Sequence, residues 1–537
     1  MRMSVISAQR NRVTYALWVA VCALSLCLSP ASAESVYRRG AAGEPATLDP
    51  QKTGTVVEAD VVYDLFEGLL TYDANGALAP GAAESWSASA DGLHYTFKLR
   101  ESKWSNGEPV VAEDFVYSLR RLVAPATGAQ YANLFYVLKN GEAVNKGAMK
   151  PEALGVNALD ARTLEIELER PTPYILGLLA HQTAAPVNRA NVEKFGNDFV
   201  RPGNLVSNGA YKLAEFTPND RIVLTRNENF HDTAGAKIDR EEILPLEDRS
   251  AALRRFQAGE IDSYNDAPAD QIPFIRERMK DQYHVMPNLG VLYFSFNTKK
   301  PPFDDPRVRN ALSMVVDREF LAEKIWCGSM LPGYSLVPPG IDNYGPPVDP
   351  GFRALSPIEA EDQAKALLKA AGYGPGGKPL NVEIRFNTSE NNKATAVAIA
   401  EMWKPLGVAT TFVNTDLKTH FALLRDGGDY DVARAGWLGD YSDPQNFLML
   451  LKGDNVGLNY SRYSNPAYDS LLAKAEAERN LGERAKILAD AEAILLRDQP
   501  IIPLLFYSSK NLISPKVSGW KPNLLDRHLT RYLAIAS

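Results

Sequence analysis

The sequence predicts an α/β protein of about three domains, and three observations carry that expectation. Strand-like and helix-like stretches alternate along the chain. The composition is globular, 45% hydrophobic and 23% charged. A length of 537 residues suffices for several cores at roughly 100–200 residues per domain.

In chain order, the first element is one the mature protein is expected to lose. Arg2, Arg10 and Arg12 precede an apolar stretch from about Tyr15 to Leu28, and Ala31-Ser32-Ala33 follows. That is the order of a secretory signal peptide, with cleavage expected after Ala33. The stretch is short of the roughly 18 apolar residues that a spanning helix needs. Val21 before Cys22 and Leu26 before Cys27 are too bulky for a lipoprotein cleavage site, so a soluble, exported product is expected. Removal takes two of the three cysteines with it. Cys327 is left as a lone, packed thiol, and stability must come from packing rather than disulfides.

Period-two alternation then marks strands at Leu93, Tyr95, Phe97 and Leu99, at Leu164, Ile166 and Leu168, and at Leu380, Val382, Ile384 and Phe386. Helical spacing at Val308, Ala311, Leu312 and Val315 follows Asp305 as N-cap and Pro306 at the first helical position. Ser356-Pro357-Ile358-Glu359 is a capping box whose helix runs to Ala371 and stops at Gly372. Two more helices are expected from Pro466 to about Arg479 and from Gly482 to Arg497, ahead of Pro500.

Charge and motifs exclude several functions. Residues 1–33 hold three of the 58 basic residues and no acid, so the remainder carries 55 against 65, a balance of −10. A net acidic chain without basic blocks argues against nucleic acid as a partner. The six histidines are scattered, with no pair spaced for one helical face, and no nucleophile elbow or phosphate loop occurs. Gly372-Tyr373-Gly374-Pro375-Gly376-Gly377 spells the dinucleotide fingerprint, but a helix enters it and a strand leaves, the reverse of what the pyrophosphate requires. No cofactor, no metal and no catalytic residue is expected.

One segment concentrates binding chemistry. Asp431 to Pro444 runs from a strand-like start into a loop of glycine, aromatic and carboxylate residues. Asp440 offers a carboxylate for an ammonium group, Arg434 a fork for a carboxylate, and Trp437 and Tyr441 flat walls. From these residues alone the structural alternative is favoured: Arg434 and Asp440 pair with each other or with neighbours, and Trp437 sits in a core.

The resemblance of the chain shifts that balance. Val432-Ala433-Arg434-Ala435-Gly436-Trp437 with Asp440-Tyr441 and Asp443-Pro444 resembles the binding segment of bacterial oligopeptide-binding proteins, the solute receptors of ABC peptide importers. Thr47-Leu48-Asp49-Pro50, Asp64 to Leu69, Pro80 to Trp86, Tyr95 to Arg100, Lys103 to Gly107, Asn208 to Tyr211, Arg254 to Asp262 and Lys300 to Phe303 are similar to that family in the same order.

The resemblance implies a periplasmic-binding-protein-like fold of two α/β lobes about a hinge, with an extra third domain. The discontinuous first lobe would take residues 34–66, 189–289 and 508–537, the extra domain 67–188, and the second lobe 290–507. The implied function is to capture short peptides in a closing cleft and deliver them to the transmembrane subunits of an ABC importer, as a periplasmic monomer. Carried over residue by residue, Asp440 takes the ligand ammonium. Backbone groups of Ala435, Trp437 and Leu438, with Gly54, Thr55 and Val56, pair with the ligand main chain. Tyr131, Tyr264 and Asn265 line the cleft, and Arg425 and Arg434 meet carboxylates of short peptides. Asn392 stands where relatives that accept longer peptides carry a histidine, and Trp326 where a lysine aligns. These losses imply a preference for two or three residues, or for a cell-wall peptide with an additional acidic group. Same-fold receptors for other solutes and a secreted peptide hydrolase are the rival readings.

Overall fold

Hydrophobic alternation organises the chain around one long sheet. The computed structural model describes residues 34–374 and 376–536, and the expected export segment, 1–33, lies outside them. Eleven strands of the described residues form this sheet. On its main path are β1 (Val36–Ala41), β2 (Tyr211–Thr217), β3 (Arg221–Arg226), β4 (Arg240–Pro245), β5 (Ser263–Tyr264), β6 (Tyr283–Phe296), β7 (Leu380–Asn387), β8 (Val408–Thr415), β9 (Val432–Leu438) and β10 (Ile501–Ile513). Their spatial order is β8-β7-β9-β6-β10-β5-β1-β4-β3-β2, and Met330–Pro332 adds to β10 off this path.

The pairing divides the sheet in two. β1 runs parallel to β4 and β5, and β7 runs parallel to β8 and β9. Each half therefore contains parallel pairs, and β3 and β2 continue the first half antiparallel. The middle is antiparallel: β6, of 14 residues, and β10, of 13, pass from one half to the other. Tyr283 to Pro287 pair with Ser508 to Leu512, the register slips between Pro287 and Val291, and pairing resumes from Val291 with Phe506. An interrupted ladder on the two connecting strands is where a two-lobed molecule can bend.

In the second lobe both sheet faces are covered, so its strands are buried on either side. Leu292, Phe294, Ile384 and Val432 enter one core with Ile399 and Trp403. Val291, Tyr293, Ala433 and Ala435 enter another with Leu488, Ala491 and Leu495. The expected helices are present as Pro306–Met314, Pro357–Ala370, Pro466–Ala477 and Leu481–Asp498. Asp305 caps the first through the Arg307 N–H, and Ser356 with Glu359 closes the capping box of the second. Gly372, at φ +87°, turns the chain out of that helix toward β7, so the glycine run joins helix to strand.

A separate four-stranded antiparallel sheet orders Ala83–Ala88, His94–Leu99, Thr163–Glu167 and Val156–Asp160. Its Phe97 and Ile166 join Tyr37, Tyr211 and Ile222 of the first lobe in a common core. Cys327 is free and half-buried. None of the helices among the described residues is long and apolar enough to cross a membrane.

Candidate functional site

β9 carries the site because its two edges differ. On one edge it pairs antiparallel with β6, from Val432 opposite Phe296 to Leu438 opposite Gly290, and the Gly439 N–H continues the ladder to the Leu289 carbonyl at 2.7 Å. Peptide groups alternate sides along a strand, so Ala433, Ala435 and Trp437 also turn theirs toward β6. On the opposite edge β7 meets only Val432 and Ala433. His420 Nε2 then bonds the Arg434 carbonyl at 2.8 Å. Beyond it, the main-chain groups of Gly436 and Leu438 lie on an edge that no strand of the described residues occupies. The structure thus corrects the expected pairing partners: Ala435 and Trp437 are committed to the sheet, Leu438 remains, and Gly436 is the residue the sequence reading missed.

The strand ends at Asp440, and the loop after it is tightly built. Asn446, fully buried, accepts the Trp437 indole N–H at 2.9 Å and the Asp440 backbone N–H at 3.2 Å through the same Oδ1. Asp443 receives both Nη groups of Arg484 at 2.7 and 2.8 Å, a buried bidentate pair. Tyr441 stacks on Tyr174 with ring centres 5.0 Å apart and planes 7° apart. Its hydroxyl donates to Gln445. This corrects the role expected for Tyr441: it is a buried packing residue, because its ring is needed to hold the loop against the segment that carries the small sheet.

Within this scaffold the Asp440 carboxylate makes no ion pair among the described residues. Burial pushes its carboxyl up to about 6, while the Tyr131 and Asn446 side chains and the charge of Arg527 pull the other way. Tyr131 faces it, and its hydroxyl is raised by burial and by the Asp440 charge. His181, 5.2 Å from the Tyr131 ring, is held neutral by burial, which brings it down to about 3. A desolvated carboxylate without a cation is a receptor for an ammonium group.

Arg434 makes no ion pair either, which removes the alternative that it pairs with Asp440. Its Nη2 donates to the Tyr507 hydroxyl at 3.0 Å, its guanidinium lies 5.9 Å from the Phe421 ring centre, and its buried Nε has no partner. It opens onto a cavity of about 690 Å³ between the lobes. Trp326, Asn387, Asn392 and Tyr507 line it on one side, and Asp248 to Ser250 with Pro268 to Asp270 on the other. Asn392 is itself held by Asn387, and the Trp326 indole donates to Thr395. Arg425 is exposed at the end of the helix Leu417–Arg425.

Across the cleft, Thr55 caps the helix Val56–Leu65, and Glu58 Oε2 accepts the N–H groups of Gly54 and Thr55 at 2.7 and 2.9 Å. Those two donors are spent on the capping box, which corrects the expected pairing for the N–H groups of Gly54 and Thr55 alone. The Val56 N–H keeps no partner among the described residues, as the first helical donor. Asn265 donates to Asp60 at 3.5 Å, and its buried Oδ1 is unpartnered. Tyr264 is fully buried in a core with Leu253, Phe256 and Ile275, with its hydroxyl on the Leu246 carbonyl, and it borders a small cavity beside Asn265 and Asp60. Among the described residues no group of three histidine, cysteine, aspartate or glutamate side chains is placed to hold a metal ion.

From the sequence, His420 counts only as one of the scattered histidines, and Asn446 and Arg484 are not singled out. Asn446 and Arg484 act on the loop through contacts that no local motif reveals, and His420 reaches forward 14 residues to Arg434.

Comparison with known proteins agrees with this geometry. The model of the bacterial extracellular solute-binding proteins, family 5, matches residues 77–459. The periplasmic murein peptide-binding protein MppA of Escherichia coli (strain K12) is 40% identical over 484 residues, covering 89% of each chain. The periplasmic oligopeptide-binding protein OppA of the same organism is 37% identical over 503 residues, 93% of this chain and 92% of the relative. The solved unliganded open form of the murein tripeptide-binding protein superposes with a TM-score of 0.83 at 39% identity, covering 94% of this chain and 98% of that one. An open strand edge ending at an unpaired carboxylate, on two lobes bridged by two strands, is therefore found in a chain that belongs to the family 5 bacterial extracellular solute-binding proteins.

Proposed function

We propose that the protein captures short peptides between its lobes, in the periplasm after loss of residues 1–33, and hands them to the transmembrane subunits of an ABC importer. It acts as a monomer that binds without converting its ligand. The observation that carries this reading is Asp440, desolvated and without a cation at the end of the free edge of β9. A peptide ammonium completes it, and the ligand main chain extends along Leu438 and Gly436 as an added strand. Main-chain pairing is common to all peptides. Both lobes touch the ligand only when shut, so binding shifts the population toward the closed form that a transporter can recognise.

The replacement of cations by Asn392 and Trp326 beside the cavity favours ligands of two or three residues, including a cell-wall peptide with an additional acid. Calorimetric titration with di- through pentapeptides and their N-acetylated forms tests both statements. Free di- or tripeptides are expected to bind tightest and acetylation to abolish binding. Tight binding of acetylated peptides would overturn the role of Asp440, and tightest binding of a pentapeptide would overturn the length preference.

A further inference from the structure

We propose that Arg527 reads the first side chain of the ligand and selects peptides that begin with an acidic residue over those that begin with lysine; the inference rests on the peptide reading above. Arg527 lies on the C-terminal segment, in a turn fixed by the buried Asn523. The Asn523 Oδ1 accepts the Arg527 N–H at 3.1 Å and its Nδ2 donates to the Arg527 carbonyl at 2.8 Å. From that anchor the side chain reaches the helix Val56–Leu65, with its guanidinium 5.0 Å from the Tyr63 ring centre and Nη1 3.4 Å from Asp60 Oδ1.

This pairing leaves most of the guanidinium unused. Three other interior arginines spend both of their Nη groups on partners. Arg484 grips Asp443 with two bonds. Arg531 donates to Glu67, Thr71 and Tyr532. Arg318 serves carbonyls of Gly333, Pro503, Ser313 and Val316. Arg527 has five N–H donors and one long contact, its side chain stays 15% exposed, and its other N–H groups have no partner among the described residues.

Its position supplies the specificity. Tyr63, against which the guanidinium lies, donates to Gln182 at 3.2 Å, and the neighbouring His181 ring lies 5.2 Å from Tyr131, the side chain that faces Asp440. Arg527 therefore joins the wall beside the ammonium end of the cleft, and its charge is felt by Asp440, Tyr131 and His181. A guanidinium cannot serve an ammonium group and repels a second cation beside it. What its free fork can serve is an acceptor at the same end of the ligand, and a planar carboxylate on the first side chain matches it best. Attraction for that acid and repulsion of a lysine act together.

The test is competition calorimetry of the full mature protein with Glu-Ala-Ala, Ala-Ala-Ala and Lys-Ala-Ala. The glutamate peptide is expected to bind about ten-fold tighter than the lysine peptide. In Arg527→Gln that ratio should fall to about two-fold or less. The double variant Asp60→Asn/Arg527→Gln removes both members of the pair, leaves no stranded buried charge, and should lose the ratio equally. Equal binding of all three peptides by the unmodified protein, or a ratio that survives in either folded variant, would overturn this inference alone. Binding of no tripeptide at all would overturn the peptide reading and this inference with it.

Discussion

The two ends of β9 are built to opposite standards. At the Asp440 end, a buried bidentate pair, a stacked tyrosine pair and a doubly accepting asparagine fix the loop. At the Arg434 end, a cation with one hydrogen bond faces a roomy cavity. On the proposed reading, rigidity is thus concentrated where all peptides are alike, at the amino terminus, and slack is left where they differ. A receptor for many sequences needs that division, because ordering a pocket for one side chain would cost affinity for the rest.

The sharpest way to break the contrast is Asp440→Ala. It should weaken peptide binding by about 3–5 kcal/mol, roughly two to three and a half orders of magnitude, because the ligand ammonium is left buried without its partner. The melting temperature of the empty protein should not fall, since the lost carboxylate was desolvated and unpaired; calorimetry and a thermal scan check the two halves. Next comes the scaffold. Arg484→Met strands the buried Asp443 and should cost about 3 kcal/mol of stability in urea unfolding, with peptide affinity falling alongside.

A pH series sharpens the same end. The folded Asp440 carboxyl titrates at about 6, above the unfolded value near 4. Stability contributed by this raised group is present below the unfolded value and is lost as pH rises through the folded one; above about 6 its ionisation penalises the empty fold. Peptide binding needs the ionised form, so affinity should hold above about 6 and drop about ten-fold by one unit lower, with proton uptake on release. Calorimetry in buffers of different ionisation enthalpy measures that proton. An affinity that is flat between pH 7 and 5 would contradict the assignment. The smallest effect is expected at the slack end: Arg434→Gln should cost a tripeptide about 1–2 kcal/mol, and a C-amidated tripeptide nothing further.

Much of this was legible where chemistry is contiguous in the chain. The β9 segment with Asp440 is a run of neighbouring residues, and the helix caps at Asp305 and Ser356 use partners two or three positions away. The Thr55-to-Glu58 capping box was just as visible, and it foretells that the Gly54 and Thr55 donors are spent. Other features had no local trace. Tyr264 and Tyr441 look like cleft aromatics until their packing partners are known. Which face of β9 is open depends on the phase of its pairing with β6, so Gly436 could not be told from Ala435. Arg527 finds Asp60 across 467 positions.

That last separation sets an order of events. A chain threaded through a membrane amino-terminus first presents the helix Val56–Leu65 early, but it lacks β10, one of the two strands that tie the lobes together, and Arg527 until nearly its last residues emerge. No partial chain holds a completed pocket. On the export route proposed above, capture of a ligand is thereby deferred until translocation is finished, and a half-exported receptor cannot be trapped shut around a peptide.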